Sequence, residues 1–240
     1  NATTGDTLRS TNESQLRDSR PTIELNGIVA RNLYYAAGFA QGLESGAAND
    51  GARGDLYYKL RYKLGGLALD GSQSTDVVAE RGQLHDRSIT IEHFGYFGAE
   101  PTETRSDDTH RAFGANLRVI AGPADFGIGY VETRHERPWG NGGPVRSRSA
   151  FGKAEYQLLP WFIASLKAER FEVNIEPSAL PAGFTAAAAN ETSVMPAVII
   201  LIRQNVRLVT EGRLFVDHSL SAERGTSKPF RIASRLAVAF

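Results

Sequence analysis

The chain has 240 residues, 41% hydrophobic and 22% charged, and its 27 Lys+Arg balance its 27 Asp+Glu. Such usage fits neither a disordered tail nor a helical membrane protein, and zero net charge removes the usual electrostatic argument for nucleic acid as a partner. The absence of cysteine excludes disulfides, Cys-ligated zinc, iron–sulfur clusters, covalently attached c-type haem and a cysteine nucleophile.

Residues 1–20 are polar and lack the charged-then-apolar pattern of an export signal. They are expected to form a polar N-terminal segment or an extracellular loop, ahead of a single domain over 21–240. From there the hydrophobic period is two. Alternation runs through 22–30 and 33–43, then sharpens in 56–64, where Leu56, Tyr58, Leu60, Tyr62 and Leu64 share one face and Lys59, Arg61 and Lys63 the other. It continues through 88–98, 110–120, 125–134, 149–158, 161–171, 193–202 and 206–217. In the last strand Phe230, Ile232, Leu236, Val238 and Phe240 alternate with Arg231, Ala233, Arg235, Ala237 and Ala239. About eleven strands are thus visible, each of a length suited to a tilted bilayer crossing. The longest wholly apolar run, Ala197–Ile202, is far shorter than the roughly 18 residues of a spanning helix, so any crossing must use strands.

The connections separate a membrane barrel from a soluble β-sandwich, the alternative for period-two strands. Arg31-Asn32, Ala121–Ala124, Leu159-Pro160 and Arg203–Asn205 are short turns, whereas 44–53, 99–109, 135–148, 172–192 and 218–229 are long and polar or rich in Gly and Pro. Short connections at one end and long ones at the other describe an antiparallel transmembrane β-barrel. The segment 65–87 breaks this rhythm; a plug, a rim element or an extra hairpin around Leu67–Leu69 and Val77–Ala79 would each account for it. An open sheet edge cannot persist in lipid, and bacterial barrels have even strand numbers, so the complete barrel is expected to have twelve or more strands.

In such a barrel the apolar face meets lipid, with Tyr34, Tyr35, Tyr58, Phe126, Tyr130, Tyr156, Trp161, Phe162, Phe215, Phe230 and Phe240 near strand ends as interfacial girdles. The polar face points inward. It offers Lys59, Arg61, Lys63, Glu92, Arg118, Lys153, Glu155, Lys167, Glu169, Arg207, Glu211, Arg213, Arg231 and Arg235 as a hydrated, modestly electropositive lumen lining. Its Glu–Arg pairs could equally cross-link the wall.

The final strand resembles the C-terminal β-signal of Gram-negative outer-membrane proteins: Phe230, Ile232, Leu236 and Val238 alternate up to a terminal Phe240. Asp55–Gly66, an aromatic–basic alternation ending in glycine, more weakly resembles strands of porin-type barrels. The resemblance implies the cell outer membrane, contact with its lipid, insertion by the barrel-assembly machinery, short periplasmic turns and long extracellular loops.

Chemistry is sparse. His85, His93, His110, His135 and His218 form no ligand-spaced pair, and Glu92 and His93, adjacent in a strand, point to opposite faces. Gly127 and Gly129 lack the rest of a dinucleotide fingerprint, and strand glycines serve close packing or bending. No cofactor is expected. The leading expectation is a non-enzymatic, porin-like channel for small hydrophilic solutes, leaning toward anions. A barrel that sheathes or anchors a partner, such as an electron-transfer cytochrome or a surface assembly, is the alternative, and a homo-oligomer or a periplasmic or outer-membrane protein is the expected protein partner. A barrel hydrolase would draw on His110 or His135, both read as lying in polar loops, where such residues are usually solvated surface.

Overall fold

The computed structural model describes residues 22–41, 54–72, 87–101, 107–136, 143–175, 188–203, 206–218 and 230–238. They form β1 (Thr22–Val29), β2 (Leu33–Gln41), β3 (Gly54–Gly65), β4 (Arg87–Pro101), β5 (Asp107–Ala121), β6 (Ala124–His135), β7 (Val145–Leu159), β8 (Phe162–Ile175), β9 (Ala188–Arg203), β10 (Val206–His218) and β11 (Phe230–Val238). All pair antiparallel with their chain neighbours in one 11-stranded sheet, ordered β1 to β11. The fold is therefore all-β, a continuous meander. Among the described residues no ladder joins β1 to β11.

Cross-strand register sorts the side chains into two faces. One carries Leu56, Leu60 and Leu64 of β3, then Ile89, Ile91 and Phe97 of β4, Phe126 and Ile128 of β6, Leu166 of β8, and Ile232 and Leu236 of β11. These large apolar groups are exposed, Ile128 to 59%. Every buried side chain among the described residues lies on the other face, from Ala36 and Asp55 to Ser193 and Val209. A single layer buries one face only by curling around it, so that face is the inner one.

Five strands run past their expected ends: β4, β5, β7, β8 and β9 take in much of 99–109, 135–148 and 172–192, segments read as loop. Apolar alternation stops near those ends, where Glu132, Arg134, Arg146, Arg148, Arg170 and Glu172 occupy the outer face, but backbone pairing continues. Within β9, Pro196 has no N–H for a ladder. It pairs with Leu166 of β8, while the β10 register skips it.

The short turns lie together at one end. In the β1–β2 turn Ala30 (φ 49°) and Arg31 (φ 66°) occupy the left-handed region, disfavoured for both. The segment after β3 holds them there. The Leu69 amide donates to the Arg31 carbonyl (2.9 Å), and Arg31 Nε donates to Ser72 Oγ (2.8 Å), 3.7 Å from the Asp70 carboxylate. Residues 66–72 thus form a rim element at the turn end of the sheet; 73–86, the rest of that connection, lie outside the described residues. Hydrogen bonds from Ser72 hold the Asp70 carboxyl below the usual carboxylate range, and the Arg31 charge acts in the same direction.

Candidate functional site

The inner face gathers ionisable groups along most of the sheet. Lys59, Arg61, Lys63, Arg118, Lys153, Glu155, Lys167, Glu169, Arg207, Glu211, Arg213, Arg231 and Arg235 all fall on it, because register keeps their positions in phase from β3 to β11. They form three zones.

The first is a chain of cross-strand ion pairs over β3–β8. Glu92, between β3 and β5, receives Arg61 at 2.6 Å and Lys59 at 3.4 Å. Asp125 receives a two-pronged bond from Arg118 (2.9 and 2.8 Å) and a third contact from Lys153 at 3.5 Å. Lys153 also reaches Glu155 at 3.0 Å, and Ser165 donates to the same carboxylate from β8. Lys167 pairs with Glu169 at 3.2 Å and lies over the Phe151 ring. Charges half withdrawn from water need such partners, and Lys59, Arg61, Arg118, Lys153 and Lys167 each reach a carboxylate on their own or an adjacent strand.

The second zone is a buried polar row at the long-loop end. Register aligns Asp55, Gly98, His110 and His135 across β3–β6. Asp55 is wholly buried and accepts a hydrogen bond from the Tyr96 hydroxyl. The His110 ring stacks on Tyr96 and on His135, with centroids 5.3 Å apart in both cases. Glycine is needed at 98 because a Cβ there would collide with both the His110 ring and the Asp55 carboxylate. Beside this row the Thr133 and Ser147 hydroxyls bond to each other. Both histidines therefore sit in strands, facing inward, rather than in solvated loops. Asp55 and Tyr96 were not singled out by the sequence: a lone Asp at a strand start reads as a turn residue, and Tyr96 as part of an apolar strand.

The third zone is the β10–β11 edge. Arg213 pairs with the buried Glu191 at 2.9 Å, and its guanidinium lies 4.9 Å from the Phe215 ring centroid. Arg231 approaches the same ring at 5.7 Å. Phe215 and Tyr34, expected in the lipid girdles, instead face inward, where Arg61 covers the Tyr34 ring. Aromatic rings count as apolar in a pattern but serve a charged face as cation platforms. Arg207, Arg231 and Arg235 are exposed, with no carboxylate partner among the described residues.

No known family and no curated protein matches this chain. Its chemistry is therefore read from its own geometry. Among the described residues no group of three or more His, Asp or Glu is arranged to hold a metal ion. The Glu92–His93 pair divides between faces: His93 points outward and stacks on Tyr58 at 5.6 Å. Gly129 accommodates the Phe151 ring, the close-packing role expected of a strand glycine. Of the last-strand signature, Phe230, Ile232 and Leu236 share the outer face through their register with β10 and Val238 pairs with Val206; Phe240 lies outside the described residues.

Proposed function

We propose that this chain forms a closed transmembrane β-barrel of an outer membrane and acts as a porin-like, non-enzymatic channel for small hydrophilic solutes, anions being favoured. The observation that carries the reading is the inverted partition of side chains: large apolar groups exposed on the outer face, charged and hydroxyl groups half-buried on the inner one. A water-soluble sheet of this size would bury its leucines and isoleucines against a second layer.

A single hydrogen-bonded row adds to this. Its outward residues are Ile23, Phe39, Leu56 and Phe97 in β1–β4, then Arg111, Arg134 and Arg146 in β5–β7. Tilted strands make such a row oblique to the bilayer, so it leaves the apolar layer part-way round. The outward apolar stretches in β5–β8, for example 113–121 and 150–156, measure roughly 23–30 Å along the strand at about 3.3 Å per residue. A tilt of about 35–45° shortens them to roughly 16–25 Å across the bilayer, so the longer ones match an outer-membrane apolar band of about 25 Å.

An anion preference follows from Arg207, Arg231 and Arg235, whereas the paired charges of β3–β8 roughly cancel. Single-channel recording in planar bilayers tests the function. Discrete conductance with an anion-selective reversal potential in a salt gradient is expected, and changing those three arginines to Gln should reduce the selectivity. A heat-modifiable, membrane-inserted protein that passes no current would remove the channel and leave a structural barrel.

One observation favours that second reading, a barrel completed by a partner. In an antiparallel meander of odd strand number β1 and β11 run in the same direction, so direct closure needs a parallel ladder and antiparallel closure needs a further strand. Stoichiometric co-purification of a second protein from solubilised membranes would support it.

A further inference from the structure

We infer that the outward arginines at the long-loop end of β5–β7 bind the phosphate of a lipid headgroup, an inference that rests on the membrane reading above. Arg111, Arg134 and Arg146 stand directly opposite one another in one outward row. Like charges in that position repel, and sheets avoid placing them so unless an anion intervenes. Among the described residues the carboxylates fall short, and Glu172, opposite Arg148, is taken by Arg170 at 2.6 Å. Glu136 is shared by Arg111 (3.5 Å) and Arg134 (2.9 Å), and Glu132 by Arg146 (3.7 Å) and Arg148 (3.4 Å). Four guanidinium groups thus divide two carboxylates, which leaves two formal positive charges to be met by something else.

The place of the cluster indicates what that is. Directly below it on the same face come Tyr130, Ile128 and Phe126 of β6, the apolar surface that acyl chains would cover. A shallow pocket of about 270 Å³ opens beside Arg146 and Arg148, lined also by Pro144, Asn174 and Ile175. It combines guanidinium and amide donors with apolar walls, which matches a phosphate ester attached to hydrocarbon. Arginine forks bind phosphate oxygens in pairs, a geometry that lysine lacks. A soluble anion would have no reason to choose outward arginines at the edge of an apolar surface over the inward ones at β10–β11. The occupant is therefore a phosphorylated lipid of the leaflet on the long-loop side.

The test reconstitutes the full chain into phosphatidylcholine vesicles containing phosphatidic acid as a minor component, extracts it in mild detergent, and counts retained lipids by native mass spectrometry. Phosphatidic acid should be retained in preference to phosphatidylcholine, and excess inorganic phosphate should not displace it. The Arg146→Gln/Arg148→Gln variant, and separately Arg111→Gln/Arg134→Gln, should each lose the preference by about tenfold or more. An Arg207→Gln/Arg231→Gln variant removes the same charge from the inner face and should keep it. Equal retention of both lipids, equal loss in all three variants, or displacement by inorganic phosphate would overturn the lipid site. Boiled and unboiled samples of each protein, compared by electrophoretic mobility, report barrel formation independently. Heat-modified migration with no lipid preference sinks this inference alone, whereas unmodified migration of the unaltered chain sinks the membrane reading and the lipid site together.

Discussion

The wall made by β3–β8 and the terminal pair β10–β11 place arginines on the same face and treat them differently. In the wall Arg61 and Arg118 each reach a carboxylate across a strand boundary, and Glu92 and Asp125 lie mostly out of solvent. In β11 Arg231 and Arg235 are exposed, as is nearly every residue of that strand, and for Arg231 the Phe215 ring stands in for an ion pair. The first strand is as exposed as the last. A side chain in the wall has neighbours on both sides, while one at the edge has them on one side, so the edges look unfinished and the wall complete.

Outward arginine substitutions would break the comparison most severely. Ile91→Arg in the wall should cost roughly 2–4 kcal/mol of folding in lipid, read as a lowered urea midpoint for the heat-modifiable form. Ile232→Arg should cost as much if β11 is embedded like the wall. A near-silent Ile232→Arg beside a damaging Ile91→Arg would mean that protein, not lipid, covers the edge.

Inward, Glu92→Gln strips two cations of their carboxylate and should destabilise by about 1–2 kcal/mol in the same assay, discounted because Arg61 and Lys59 are more than a third exposed. Phe215→Leu at the edge keeps the bulk and removes the ring, for a loss of about 0.5–1 kcal/mol. If its effect equalled that of Glu92→Gln, the contrast between the two regions would disappear.

The smallest effect belongs to the rim. Asp70 has a lowered pKa in the folded chain, so its contribution is fully present at neutral pH and is lost as pH falls through that lowered value, below its ordinary 3.8. Hydrogen-exchange protection of the Leu69 amide should be independent of Asp70 protonation at pH 7 and should decline in acid. Asp70→Asn should lower it at pH 7 and flatten the decline.

The sequence made the strands legible wherever an apolar face and a charged face alternate, as in Leu56–Leu64 and Phe230–Val238, because period-two patterning records two environments. It failed where only one environment remains. Beyond the apolar band both faces are polar, so Arg146, Arg148 and Glu172 read as loop although their backbones still pair. The inner charged residues were visible as a set, but their partners were not, since pairing depends on register between strands. Nor could a pattern foresee that Asp55, His110 and His135, far apart in the chain, would align across a glycine.

The meander order has a consequence for how the molecule assembles. Each ladder joins strands adjacent in the chain, so every connection closes locally and the sheet can grow by addition from any hairpin. Joining the two edges is the exception, because its loop spans some 200 residues instead of some 10 and costs about 3 kcal/mol more in chain entropy. In the barrel proposed above closure is the last and slowest event, and before it the sheet presents two ribbons of unpaired edge amides able to capture another strand. A catalyst that holds those edges apart from other chains would govern the yield of native protein more than any interaction within the wall.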